Sequence, residues 1–195
     1  SPYRLRLTNM ELSSLSQEGY RYKASRTLVI ITKVYLSLTV IIFVSLWAAG
    51  MTGFDALNHA FSIAATGGFS TRNLSVGFYQ SDLINVLVIL FMAVSAMHFG
   101  LLYASVVLRS LKPFNNSVVK YYFCSIAVMS VTIMFALMTQ GSYDSWGRAL
   151  MDSTFTVVSY MSTAGFAICD NSQWPWLAGI VLLIASFQCG CSGST

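Results

Sequence analysis

Phe54-Asp55-Ala56-Leu57-Asn58-His59-Ala60-Phe61-Ser62-Ile63-Ala64-Ala65 is a short apolar stretch that runs directly into Thr66-Gly67-Gly68-Phe69-Ser70. A helix of about 11 residues is roughly 16 Å long at 1.5 Å per residue, about half the ~30 Å hydrocarbon thickness of a bilayer. The pattern occurs a second time. Residues 146–161 form another short apolar segment, and Thr163-Ala164-Gly165-Phe166-Ala167 follows closely. Thr-small-Gly-Phe thus recurs at an offset of 97 positions, Thr66 to Thr163, each time between two longer apolar runs. One such tetrapeptide alone reads as an ordinary turn. Its recurrence in matched surroundings is an internal repeat, which is the stronger signal.

The flanking runs cover residues 28–50, 82–108, 118–139 and 174–190, each near the ~17 to 25 residues that cross a bilayer as a helix. Of the 195 residues, 55% are hydrophobic and 9% charged, with a mean hydropathy of +0.65. Soluble domains carry about 25% charged residues, so a soluble enzyme is excluded and an integral membrane chain expected. The chain starts at Ser1 without a methionine and stops at Thr195 in a Gly/Ser-rich stretch, which reads as an internal piece of a longer polypeptide. No signal-peptide pattern opens it. A dispersed net charge of +4 argues against nucleic acid as a partner.

The placement of charge orients the spans. Arg4, Arg6, Arg21, Lys23, Arg26, Arg109, Lys112 and Lys120 lie before the first run or between the second and third, against Glu11 and Glu18. The other two connections hold only Arg72 and Arg148, against Asp55, Asp82, Asp144, Asp152 and Asp170. The positive-inside rule makes the amino end and the central loop cytoplasmic. Trp47, Trp146, Trp174 and Trp176 then fall near the outer boundary, where aromatic belts sit. Lys33, one turn into the first run, can snorkel to the headgroups.

Both short segments therefore enter from outside, and returning needs non-helical backbone at membrane depth, which is tolerated only inside protein or along a wet cavity. A row of carbonyls aimed at one axis can replace a cation's hydration shell. An extended strand alternates its carbonyls, so a one-sided row requires left-handed residues, which glycine adopts cheaply. Gly68 and Gly165 suit that need, Gly67 and Ala164 keep side chains away, and Thr66 and Thr163 offer hydroxyls at the inner end. Phe69 and Phe166 are expected to pack behind the loops. Asp55 and Asp144 lie near the starts of the half-helices, where negative charge is favourable, and the carbonyl ends favour a cation. The deduced substrate is a dehydrated monovalent cation. Two loops make half of a fourfold ring: either the chain dimerises around one pore, or further sequence supplies two more repeats.

The stretches FDALNHAFSIAATGGFSTRNLSVGFYQS and VVSYMSTAGFAICDNSQWPWLAGIVLLIASFQCGCSGST resemble the Trk/Ktr/HKT superfamily of potassium transporters, and within it the bacterial TrkH type. The resemblance runs from about Leu28 onward. It implies an all-α integral membrane fold with two tandem span–pore-helix–filter-loop–span repeats, the second and third of a K+-channel-like four-repeat pore. In this division residues 1–27 are a cytoplasmic segment and residues 28–112 one repeat with its filter near 65–70. Residues 113–195 are the next repeat, with its filter near 162–167, truncated at an intramembrane loop. By position Thr66, Gly67, Gly68, Thr163, Ala164 and Gly165 match selectivity-filter residues, with Phe69 and Phe166 as filter support. Gly190, Ser192 and Gly193 match the start of the loop that gates the pore below the filter. The resemblance further implies potassium uptake across the bacterial inner membrane and a homodimer with one pore per subunit. It also implies a cytosolic regulatory subunit of TrkA type that binds NAD or ATP.

Other readings are weaker. A sodium-permeable uniporter of the same superfamily is the nearest alternative. Gly190-Cys191-Ser192-Gly193 fits the Gly-x-Ser-Gly form of intramembrane serine proteases with His59 or His98 as base, but the expected histidine after the serine is absent here. Both histidines read better as packing residues. A transporter with broken midplane helices usually has inverted repeats, whereas these run in the same orientation. Cys124, Cys169, Cys189 and Cys191 do not make a convincing transition-metal site, and only Cys169 falls on the oxidising side, which argues against a disulfide.

Overall fold

The structure of the chain, a computed structural model, describes residues 24–97 and 117–188. The described residues are helical and contain no strand. Helix α1 (Ala24–Ala48) is followed by the half-length α2 (Gly53–Ala64), a short 3-10 turn (Ser75–Tyr79) and α3 (Asp82–Ser95). The same order then returns as α4 (Ser117–Gln140), α5 (Trp146–Met161) and α6 (Trp176–Gln188).

Local chemistry explains the boundaries. Thr52 caps α2 by accepting a hydrogen bond from the Asp55 amide at 3.2 Å, and Asp55 sits in the first turn where the helix dipole favours an anion. Ser81 and Asp82 serve α3 in the same way. The ends of the half-helices, Ala64 and Met161, stand at the same 97-residue offset. Their starts do not: α5 has 16 residues against 12 in α2, about one additional turn at its amino end.

Among the described residues two helices, Ile31–Ala48 within α1 and Ser117–Gln140, are long and apolar enough to cross a membrane. The α1 face Leu38, Ile42 and Leu46 is buried at helical spacing, whereas Val40, Val44 and Trp47 on the other side are exposed. Such one-sided burial with large apolar side chains left outside suits a helix that meets lipid rather than water. Helix α1 packs on α2, and α4 packs on α5 and α6. Ala56 and Ala60 of α2 and Ala178 and Ala185 of α6 are buried, and small side chains let helices approach closely. Helix α3 joins the halves, packing on α2 of its own and on α5 of the next.

One helix ends inside its expected span. The run from 82 to 108 reads as one helix, but α3 ends at Ser95, with Ala96 as its cap and its 14 residues covering about 21 Å. Hydropathy cannot register this stop, because the stretch stays apolar through Ser95-Ala96-Met97. The amino-terminal segment, the central loop with Arg109 and Lys112, and the boundary between the expected repeats near 112 lie outside the described residues. So do His98, Cys189, Cys191 and the expected gate residues Gly190, Ser192 and Gly193.

Candidate functional site

Both half-helices close in the same way. The Thr66 amide donates to the Ile63 carbonyl at 3.1 Å and the Gly67 amide to Ser62 at 2.7 Å. Their counterparts are Thr163 to Tyr160 at 3.1 Å and Ala164 to Ser159 at 3.0 Å. This is the Schellman closure, in which the residue after the cap is left-handed and is usually glycine. Here that residue is threonine, with φ of 50° at Thr66 and 56° at Thr163. A β-branched side chain in this region is strained, and such strain collects at functional sites. The Thr163 hydroxyl donates back to the Ser162 carbonyl at 2.7 Å.

Two residues on, the backbone turns left-handed again, with φ of 68° at Gly68 and 76° at Gly165. Gly67 and Ala164 between them are not left-handed. Alternating the hand of successive residues cancels the alternation of an extended strand, so consecutive carbonyls can face one side. The two loops also touch: a Cβ added at Gly68 would collide with the Ala164 carbonyl oxygen. Glycine is required at 68 for both conformation and space, and at 165 for conformation.

Behind the first loop lies a polar hub. Asp55 is 3% exposed and its carboxylate accepts from the Thr71 hydroxyl at 2.6 Å and from Arg72 Nη2 at 2.9 Å. The Thr71 hydrogen bond, opposed by burial and reinforced by Arg72, holds this carboxyl well below the usual carboxylate range. The Arg72 guanidinium carbon also lies 4.6 Å from the centre of the Phe78 ring. Beside Asp55, His59 is fully buried, with Nδ1 2.7 Å from the Asp55 carbonyl oxygen and Nε2 3.0 Å from Ser70 Oγ. A carbonyl only accepts, so Nδ1 carries a proton. In the neutral imidazole Ser70 Oγ then donates to Nε2, and in either state it accepts the Arg72 amide at 3.1 Å.

The second loop has a different support. Asp152, the counterpart of Asp55, is also buried. It accepts from the Tyr143 hydroxyl at 2.8 Å, and Arg148 Nε lies 3.2 Å from Oδ1 without the alignment of a hydrogen bond. Cys169 stands where Arg72 stands in the first half. Burial first, and then the Asp152 charge, push its thiol up to about 11, so it is protonated and a poor nucleophile at neutral pH. Burial likewise raises the Tyr143 phenol. The Ser159 hydroxyl donates to the Phe166 carbonyl at 2.7 Å and pins the second loop to its own half-helix. Neighbouring residues come from the first half. The Phe166 ring stacks on His59 with centroids 5.9 Å apart, the Ala167 amide donates to Ser75 Oγ at 3.2 Å, and the Gly77 amide donates to the Ala167 carbonyl at 3.2 Å.

Of the six expected filter residues, the structure brings Gly68 of the first loop against Ala164 and Gly165 of the second; Thr66, Gly67 and Thr163 lie in the same two loops, and Phe166 is buried. Phe69 departs from the expectation: it is 81% exposed rather than packed behind its loop. Phe166 lands on the preceding half-helix, and no preceding half-helix stands among the described residues to receive Phe69. Ser62 Oγ, the counterpart of the Ser159 pin, is buried without a partner. Asp144 is exposed and lies just before the α5 cap Ser145, near the start of that half-helix as expected, whereas the buried acid at the 97-residue offset from Asp55 is Asp152. The Asp55–Thr71–Arg72 hub was missed because its members looked like separate loop residues. His59 is a packing residue with both ring nitrogens engaged, which removes it as a free base. Among the described residues no group of three His, Cys, Asp or Glu side chains could hold a metal ion.

The TrkH family, described as Cation transport protein, matches residues 2–195. The Trk system potassium uptake protein TrkH of Vibrio parahaemolyticus is 38% identical over 171 residues, which are 83% of this chain and 34% of the relative. That of Escherichia coli K12 is 33% identical over 182 residues, 93% of this chain and 38% of the relative. The crystal structure of the potassium transporter TrkH from Vibrio parahaemolyticus superposes with a TM-score of 0.83 at 33% identity, over 91% of this chain and 38% of that one. The chain therefore spans a little over a third of the length of these relatives. Its helical architecture is that of an integral membrane transporter, and the chain belongs to the TrkH family of cation transport proteins.

Proposed function

We propose that this chain supplies two adjacent quadrants of a potassium-selective uptake pore, with residues 65–70 and 162–167 as filter loops. The observation that carries this reading is the duplicated left-handed alternation, Thr66 with Gly68 and Thr163 with Gly165, at the ends of two half-length helices. Strain at β-branched residues, repeated at one offset, is costly unless their carbonyls and hydroxyls are used. A ring of such oxygens replaces the hydration shell of a cation. The names of the relatives, potassium uptake proteins of the Trk system, favour potassium over sodium as that cation.

In this reading potassium is the substrate and the remaining quadrants come from further repeats of a longer polypeptide. The chain sits in the bacterial inner membrane with its amino end cytoplasmic, supported by the basic residues at that end and in the central loop. A homodimer and a nucleotide-binding regulatory subunit of TrkA type complete the assembly, with NAD or ATP held on that subunit. Below the filter, Gly190, Ser192 and Gly193 form the gating loop. Replacing Gly68 or Gly165 by Ser in the complete transporter tests the filter. The K+/Na+ flux ratio is expected to fall in both variants, and an unchanged ratio in both would overturn the assignment.

A further inference from the structure

We propose that His59 is a specificity-determining positioning residue that sets the spacing of the two filter loops; this rests on the pore reading above. The imidazole has three attachments, and each leads to a different element. Nδ1 is held by the Asp55 carbonyl of its own helix at 2.7 Å, which fixes the plane of the ring. Nε2 meets Ser70 Oγ at 3.0 Å, and Ser70 follows Thr66-Gly67-Gly68-Phe69 directly. One ring face stacks on Phe166, 5.9 Å between centroids with planes 23° apart, and Phe166 follows Thr163-Ala164-Gly165 directly. Tyr79 meets the ring edge-on at 6.0 Å and closes the remaining side.

A residue that only filled space would need none of this polarity. The position requires a donor towards α2, an acceptor towards the first loop and a flat face towards the second. Among the aromatic side chains only histidine carries a donor and an acceptor at separate positions of the ring. Full burial leaves the ring nowhere else to go, so the outer ends of both loops are referred to one rigid body. The counterpart in α5 is Thr156, whose hydroxyl turns back to the Asp152 carbonyl at 2.8 Å. The joint is therefore a property of this pair of loops and not of every half-helix. Ion discrimination by a carbonyl ring depends on the placement of its oxygens, so loosening the joint acts on selectivity without touching an ion ligand.

Two substitutions separate the arms. His59→Phe keeps a flat face for Phe166 and loses both hydrogen bonds; His59→Gln keeps polar reach towards Ser70 and loses the face. Each is introduced into the full-length transporter, reconstituted in lipid vesicles, and assayed for K+ and Na+ uptake beside Gly68→Ser and Gly165→Ser. Amount and thermal stability of the purified protein are measured in parallel. The K+/Na+ ratio is expected to fall by about twofold to tenfold in each His59 variant, the span that the loss of one hydrogen bond or ring contact produces. Adding Ser70→Ala to His59→Phe, or Phe166→Leu to His59→Gln, should lower it no further. A ratio unchanged in both His59 variants, with or without loss of protein, overturns the proposal. If Gly68→Ser or Gly165→Ser shifts the ratio in that same assay, the pore reading survives; if neither has an effect, both readings fall. Should the His59 variants yield no protein, Ser70→Ala and Phe166→Leu alone decide by the same criterion.

Discussion

Thr66 and Thr163 occupy positions where glycine is cheaper. A non-glycine residue in left-handed backbone costs roughly 1–2 kcal/mol, and the Schellman closure needs only the backbone. The hydroxyl is what threonine adds. Thr66→Gly is therefore expected to raise the melting temperature of the purified protein slightly, by the equivalent of about 1 kcal/mol, while lowering the K+/Na+ flux ratio. A gain of stability with undiminished selectivity would show that the hydroxyl is not used. The need for glycine at 68 and 165 was legible in the sequence, because a one-sided carbonyl row demands left-handed residues. The left-handed threonines were not legible, because nothing in propensity places a β-branched residue there.

At the scale of elements, the half-helices were visible from their length and from the turns that follow them. The 16-residue extent of α5 was visible too, since residues 146–161 read as one segment, but the early stop of α3 was not, because it lies within apolar sequence that reads the same either way. The hub that fastens α2 to its loop has a definite pH signature. The folded-state pKa of Asp55 is lowered, so its contribution to stability is fully present above the ordinary carboxylate value of about 3.9. It is lost as the pH falls below that value towards the folded pKa. Thermal melts of the purified protein should therefore decline more steeply below about pH 4 than those of Asp55→Asn. At pH 7 the same substitution should cost about 1.5–3 kcal/mol, the range for hydrogen bonds to a charged group. The lower end is expected, because the Arg72 side chain is 39% exposed and keeps access to water. Equal acid sensitivity in both proteins would remove Asp55 from this role.

For the whole molecule the seam between the halves matters most, and it is made by contacts between residues far apart in sequence. A Cβ at Gly77 would lie 2.7 Å from the Ile168 carbonyl oxygen, so Gly77→Ala must push the 3-10 turn away from the second loop. A loss of about 1–3 kcal/mol is expected, read as a lower melting temperature. An unchanged melt would mean that the seam is not tight. The exposed Phe69 belongs to this scale too, since the way Phe166 rests on His59 shows what such a ring needs. Membrane residence, the four apolar runs, the duplicated Thr-small-Gly-Phe loops and the family resemblance were all determined by the amino-acid sequence alone. Composition belongs to the chain as a whole, and hydropathy runs and repetition to its order, so all three survive without coordinates. Only the tertiary structure decided which polar residues act together: Asp55 with Thr71 and Arg72, Asp152 with Tyr143, and His59 with Ser70 and Phe166. The physical reason is burial. Within the packed protein most buried polar groups find their partner across space, and the partner's position in sequence carries no mark of that need.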